Sequence, residues 1–98
     1  MALESLEEIA TYIVADGKGI LAADESNPTC GKRFDSIGVE STEENRRDYR
    51  EMLFRAEGVK NNVGGVILFD ETIRQKAGDG TRLVDLITSQ GALPGIKV

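Results

Sequence analysis

The chain has 98 residues, enough for one domain, and seventeen acidic against twelve basic residues leave a net charge of −5. That balance argues against nucleic acid as a partner, because phosphate backbones reward clustered positive charge. The absence of histidine and the single cysteine, Cys30, exclude the commonest zinc and iron ligand sets and an intrachain disulfide. The same cysteine usage fits a reducing, cytoplasmic compartment. No apolar run approaches the roughly 20 residues of a membrane span, and the acidic N-terminus is unlike a secretory or transit signal.

In chain order, Leu3, Leu6, Ile9, Ala10, Ile13 and Val14 step at three or four and predict a helix with one apolar stripe. Gly19–Ala23, ending at Asp24, reads as a first strand. Asn27 as N-cap with Pro28 at the first helical position starts a short helix. A longer helix is expected from about Thr42, with Ser41 and Glu44 as its capping box, Tyr49, Met52, Leu53 and Ala56 inward, and Gly58 as its stop. Val63–Phe69, ending at Asp70, is a near-continuous apolar run, the pattern of a parallel strand covered on both faces. The Asp79-Gly80 turn leads to a helix over Arg82–Ser89, with Leu83, Leu86 and Ile87 inward and Gly91 just past its end. Gly95–Val98 is the third strand. Such alternation predicts an α/β fold with parallel strands and two bare sheet edges.

Parallel α/β folds put their sites at the carboxyl ends of strands, where Asp24 stands. A carboxylate that merely caps the next turn fits the same position. Ser26, Thr29, Lys32 and Arg33 follow, with hydroxyls, helix-start amides and two cations that suit a phosphate cradle, although the segment lacks the P-loop pattern and a solvated basic turn also fits. Lys97 lies between Ile96 and Val98 and faces opposite to both. If strands one and three share a barrel layer, Lys97 and Asp24 reach into one lumen across about 10 Å, two strand spacings. The alternative is a lysine that snorkels from an edge strand. Arg46, Arg47 and Arg50 read as a solvated helix face, Asp70-Glu71 as a turn cap, and Cys30 as an isolated thiol.

Gly17–Ser26 strongly resembles the opening of class I fructose-bisphosphate aldolases. Lys32-Arg33, Ser36–Gly38, Thr42–Arg47, Gly64–Phe69, Glu71-Thr72 and Gly95–Val98 look like further segments of that family in family order. The resemblance covers nearly the whole chain and is weakest before Gly17. Asn27–Cys30 looks closer to bacterial and plastid members than to animal ones.

The resemblance implies that residues 1–98 are the N-terminal three strands of a TIM (β/α)8 barrel, incomplete and without a second domain. It implies a glycolytic and gluconeogenic lyase, commonly a homotetramer, that reversibly cleaves fructose 1,6-bisphosphate through a lysine Schiff base, with no metal or cofactor. Asp24 then matches the first-strand aspartate that helps with proton transfers, and Lys97 the third-strand lysine that acts electrostatically. Ser26, Thr29, Lys32 and Arg33 fall where the family contacts substrate, with Thr29 and Arg33 near a phosphate. The family's Schiff-base lysine lies on the sixth strand and its acid/base glutamate on the fifth, so these 98 residues are expected to be inactive alone. A non-catalytic sugar-phosphate-binding module, or a fragment that assembles with another barrel piece, is the competing expectation.

Overall fold

The structure, a computed structural model, describes Leu3 and residues 5–98. Three strands, β1 (Gly19–Ala23), β2 (Val63–Leu68) and β3 (Leu93–Ile96), form a parallel sheet in the order β1-β2-β3. Around them run α1 (Leu6–Ile13), α2 (Asn27–Asp35), α3 (Glu43–Arg55), α4 (Glu57–Asn62) and α5 (Leu83–Ser89), with a short 3-10 turn at Thr72–Arg74. The expected α/β alternation and bare edges are present: β1 and β3 each pair only with β2 among the described residues.

One face of the sheet is packed. Ala23, Val66 and Leu68 meet Phe54 of α3 and Leu83, Leu86 and Ile87 of α5, and Ala77 and Ala92 complete this core. α5 buries the three residues its spacing predicts, and it ends where Gly91 takes a positive φ of 83° that favours glycine. On the opposite face, Ile20 pairs with Gly65 and Ala22 with Ile67; the two β1 residues are exposed, Ile20 by 52%, while Ile67 is half-buried and Gly65 buried. β2 itself has no exposed residue, as its apolar run predicts for a strand covered on both faces, but on this second face the cover is Ile13 of α1 over Gly65, and the sheet lies open toward its carboxyl end.

Several boundaries and faces also differ from expectation. β3 begins at Leu93, two residues early, and includes Pro94. Proline is tolerated there because β3 is an edge strand. α1 buries no residue completely, and Leu6 and Val14 of its predicted stripe are exposed. It is held instead by Tyr12, whose hydroxyl donates to the Gly91 carbonyl at 2.5 Å, and by Ile13, which packs where β2 has glycines. The cap of α2 is Ser26, one residue before Asn27.

α3 is capped by Thr42, whose side chain accepts from the Asn45 amide at 3.0 Å, and not by Ser41. Ser41 accepts from Arg46. Its buried face is Arg46, Arg50 and Phe54, while Met52 is exposed. Helix formation breaks at Ala56, where the backbone turns extended, and Gly58 continues into α4 rather than stopping α3.

Candidate active site

Register sets the site. Ala22, Ile67 and Gly95 are aligned partners, so Asp24, Phe69 and Lys97, each two residues further along, project from the same open face at the carboxyl rim. The Lys97 amide donates to the Leu68 carbonyl at 3.0 Å and so extends the β2–β3 pairing past the end of β3. With that backbone fixed, Lys97 Nζ lies 3.6 Å from Asp24 Oδ2 and 5.5 Å from the centroid of the Phe69 ring. The ring, standing on the strand between them, offers its negative face to the ammonium. Both charged side chains keep access to solvent, 42% for Lys97 and 27% for Asp24, so a ligand can reach them.

The turn from β1 into α2 brings the other predicted residues near this rim. Ser26 has an extended backbone at the N-cap but makes no side-chain cap. Its hydroxyl instead lies 3.2 Å from that of Thr29. Ser26, Thr29 and Arg33 follow at three and four residues and share one face of α2. Lys32 is exposed and outside every ion pair among the described residues. Arg33 is not a free cation: it pairs with Glu25.

Glu25 is the residue that sequence reasoning missed. Its carboxylate accepts from Arg33, from the Tyr49 hydroxyl at 3.3 Å and, by its other oxygen, from Arg50 at 3.4 Å. Arg50 is 1% exposed and donates to the carbonyls of Ala23 at 3.2 Å and Glu25 at 2.8 Å, on either side of Asp24. Tyr49 sits between Arg50, 5.6 Å from its ring centroid, and Phe34, which meets it edge-on at 5.7 Å. The solvated-face reading of the arginines is thus wrong for Arg46 and Arg50. The signal was available: Arg46, Arg50 and Phe54 recur at intervals of four, on one side of the helix.

Arg46 makes a two-pronged pair with Glu71, at 2.8 and 2.9 Å, and donates a further bond to the Ser41 carbonyl at 3.0 Å. The arginine's hydrogen bonds hold the Glu71 carboxyl below the usual carboxylate range. Glu71 is therefore a clamp between the loop after β2 and the start of α3, not a turn cap. Its neighbour Asp70 pairs with Arg74 at 2.5 Å in solvent. Cys30 is fully buried, its sulfur 3.9 Å from the Glu25 carbonyl, as a packed core thiol. A cleft of about 890 Å³ lies between the Phe69–Lys76 segment and Glu43, Glu44 and Arg47. It touches the rim only through Phe69, so volume does not locate the chemistry here.

A parallel sheet with a helix before each strand, and with a carboxylate, an ammonium and a hydroxyl-bearing basic turn at its carboxyl rim, is the opening portion of a (β/α)8 barrel. The family model for fructose-bisphosphate aldolase class-I matches residues 5–98, and the chain belongs to that family. Among curated relatives it is 56% identical over 96 residues to a fructose-bisphosphate aldolase of Drosophila melanogaster, 97% of this chain and 27% of that protein. It is 52% identical over 98 residues to a probable class 1 fructose-bisphosphate aldolase of Xanthomonas axonopodis pv. citri, all of this chain and 29% of that protein. A solved fructose-bisphosphate aldolase of Plasmodium falciparum, in complex with TRAP and a small-molecule inhibitor, superposes with a TM-score of 0.87 at 48% identity, covering 92% of this chain and 26% of that one. The chain thus spans about a quarter of the length of the relatives it matches. No helix among the described residues is long and apolar enough to cross a membrane.

Proposed function

We propose that these residues form the first three strands of a barrel that reversibly cleaves fructose 1,6-bisphosphate to dihydroxyacetone phosphate and glyceraldehyde 3-phosphate, acting as a cytoplasmic homotetramer without metal or cofactor. The observation that carries the reading is the approach of Lys97 to Asp24 on the open face, 3.6 Å apart, beside the Ser26–Arg33 turn. In this reading Asp24 exchanges protons with the substrate's hydroxyls and the carbinolamine, and Lys97 acts electrostatically and orients the sugar. Ser26, Thr29, Lys32 and Arg33 take a terminal phosphate through charge-assisted hydrogen bonds.

The nucleophile belongs to a strand outside these residues. Of the lysines here, Lys97 alone stands at the rim on the open face, and it is paired; Lys18 donates to the Lys60 carbonyl at 2.9 Å, far from the rim in sequence and register. Without an imine there is no electron sink for breaking the carbon–carbon bond. Borohydride should therefore trap no adduct between the purified 98-residue chain and dihydroxyacetone phosphate. A trapped imine would place the nucleophile within these residues and overturn the assignment. Joined to the remaining strands of a full-length relative, the chain should support cleavage, and Asp24→Asn should then lower kcat/KM by about 10²–10⁴-fold, the usual worth of a general acid or base. Unchanged turnover in that variant would remove Asp24 from the chemistry.

The open apolar face and the two bare strand edges also favour an assembly role, in which the fragment's own task is to pair with a complementary piece. That role predicts recovery of activity on mixing the two pieces, with none from either alone.

A further inference from the structure

Two guanidiniums converge on one carboxylate beside the β1–α2 turn. Arg50 is buried: it is 1% exposed and donates to the carbonyls of Ala23 and Glu25. Arg33 is the opposite, with 56% of its side chain in solvent. Glu25 is engaged on Arg33 and Tyr49 through one oxygen, and reaches Arg50 only at 3.4 Å through the other. The three side chains together carry two positive charges and one negative, so the cluster can take a further anion. An incoming anion and Glu25 compete for Arg33, and Arg50 is the place to which Glu25 can withdraw.

We propose that Glu25 is a specificity-determining residue: it occupies Arg33 as a resident carboxylate and yields it, by moving onto Arg50, to a phosphate but not to a carboxylate. This rests on the reading of Ser26, Thr29 and Arg33 as a phosphate turn. A free carboxylate offers Arg33 one charge and a pair of acceptor oxygens, which Glu25 already supplies at the high effective concentration of a tethered group. A phosphate offers between one and two negative charges near neutral pH and three acceptor oxygens, enough to engage Arg33 and the hydroxyls of Ser26 and Thr29 together. Arg33 is the solvated partner and Glu25 is largely buried, at 11% of its side chain, so the exchange depends on Glu25 staying against a guanidinium throughout: it leaves Arg33 only as it closes on Arg50. After it, each arginine has its own anion.

Inorganic phosphate and acetate, titrated into the 98-residue chain while the amide resonances of Ser26 through Arg33 are followed, test this directly. The wild type should bind phosphate at least tenfold more tightly than acetate. Glu25→Gln, which keeps the shape but removes the resident charge, should bind acetate better and lower that ratio at least fivefold. In the wild type, phosphate should also shift the Arg50 Nε–H resonance, and acetate should leave it in place; this readout needs no variant. A wild type that binds no phosphate would overturn the phosphate-turn reading and this proposal with it. A wild type that binds phosphate with an unchanged ratio in Glu25→Gln, or with Arg50 unmoved, would overturn the role of Glu25 alone.

Discussion

A buried arginine is stable only where its donors are used, and the two on α3 use theirs differently. Arg50 spends its donors on backbone carbonyls and so fixes the peptide on both sides of Asp24. Arg46 spends its donors on a carboxylate and the Ser41 carbonyl. Removing one partner of such a pair leaves the other charge desolvated, which is worse than never having built it. Arg46→Met should accordingly cost about 3 kcal/mol in chemical unfolding, the low end for a broken buried pair because Glu71 keeps some solvent. A loss within 0.5 kcal/mol would mean that the clamp is ornamental. Asp24 and Lys97 were legible as a pair because strand parity gives them one face, with a turn cap and a snorkelling lysine as the alternatives, whereas the Ser26–Arg33 turn read equally as a phosphate cradle or a solvated basic turn and was tied to substrate by the family resemblance. Their link to Glu25, Tyr49 and Arg50 was not: Tyr49 was read as inward but without a partner, Glu25 was given no role, and Arg50 was taken as solvent-facing although its four-residue spacing with Arg46 and Phe54 marks one side of the helix.

At the scale of elements, existence was easier to read than face or limit. β2 and α5 carry unmistakable apolar patterns, and both stand where expected. α3 has few apolar residues, so Met52 was taken as inward when the helix in fact turns Phe54 to the core. Phe54→Ala should lower stability by about 3–5 kcal/mol, and Met52→Ala should stay within about 0.5 kcal/mol, measured as urea midpoints at constant slope. Equal effects would return the helix to its predicted rotation. The junction of α1 with β2 makes a second case. Register shifts between Gly19 and Ile20 leave Gly64 as an extra residue in β2, and a Cβ there would stand on the Ile13 carbonyl oxygen. At Gly65 a Cβ would meet the Ile13 side chain at 3.0 Å. Gly64→Ala should therefore push α1 off the sheet, at about 1–3 kcal/mol, and raise amide exchange in Leu6–Ile13 before that in α5. Protection unchanged in α1 would show that the close approach is not needed.

For the molecule as a whole, the attachment of α3 decides how the fold responds to acid. Its first turns are tied to the loop after β2 by Arg46–Glu71, and its last turn to the Asp79 turn by Arg55 at 2.9 Å. Glu71 is held below the ordinary carboxylate range by hydrogen bonds from Arg46. Asp79 is lowered to about 2, first by the Thr81 amide and hydroxyl and then by Arg55. Asp85 is lowered by Arg82. A carboxyl whose folded pKa lies below its unfolded value of about 4 adds stability that is complete above that value. It is lost as pH falls through the folded pKa, because the unfolded chain then binds more protons. The urea midpoint should thus be flat from pH 7 to about 5 and fall steadily toward pH 2. Glu71→Gln should lower the plateau and flatten the upper part of the fall, since the desolvated pair contributes most. Asp85→Asn should do much less, because its partner is solvated and screened. A midpoint that rises on acidification, or an acid limb identical in Glu71→Gln, would mean that α3 is held by its apolar contacts alone.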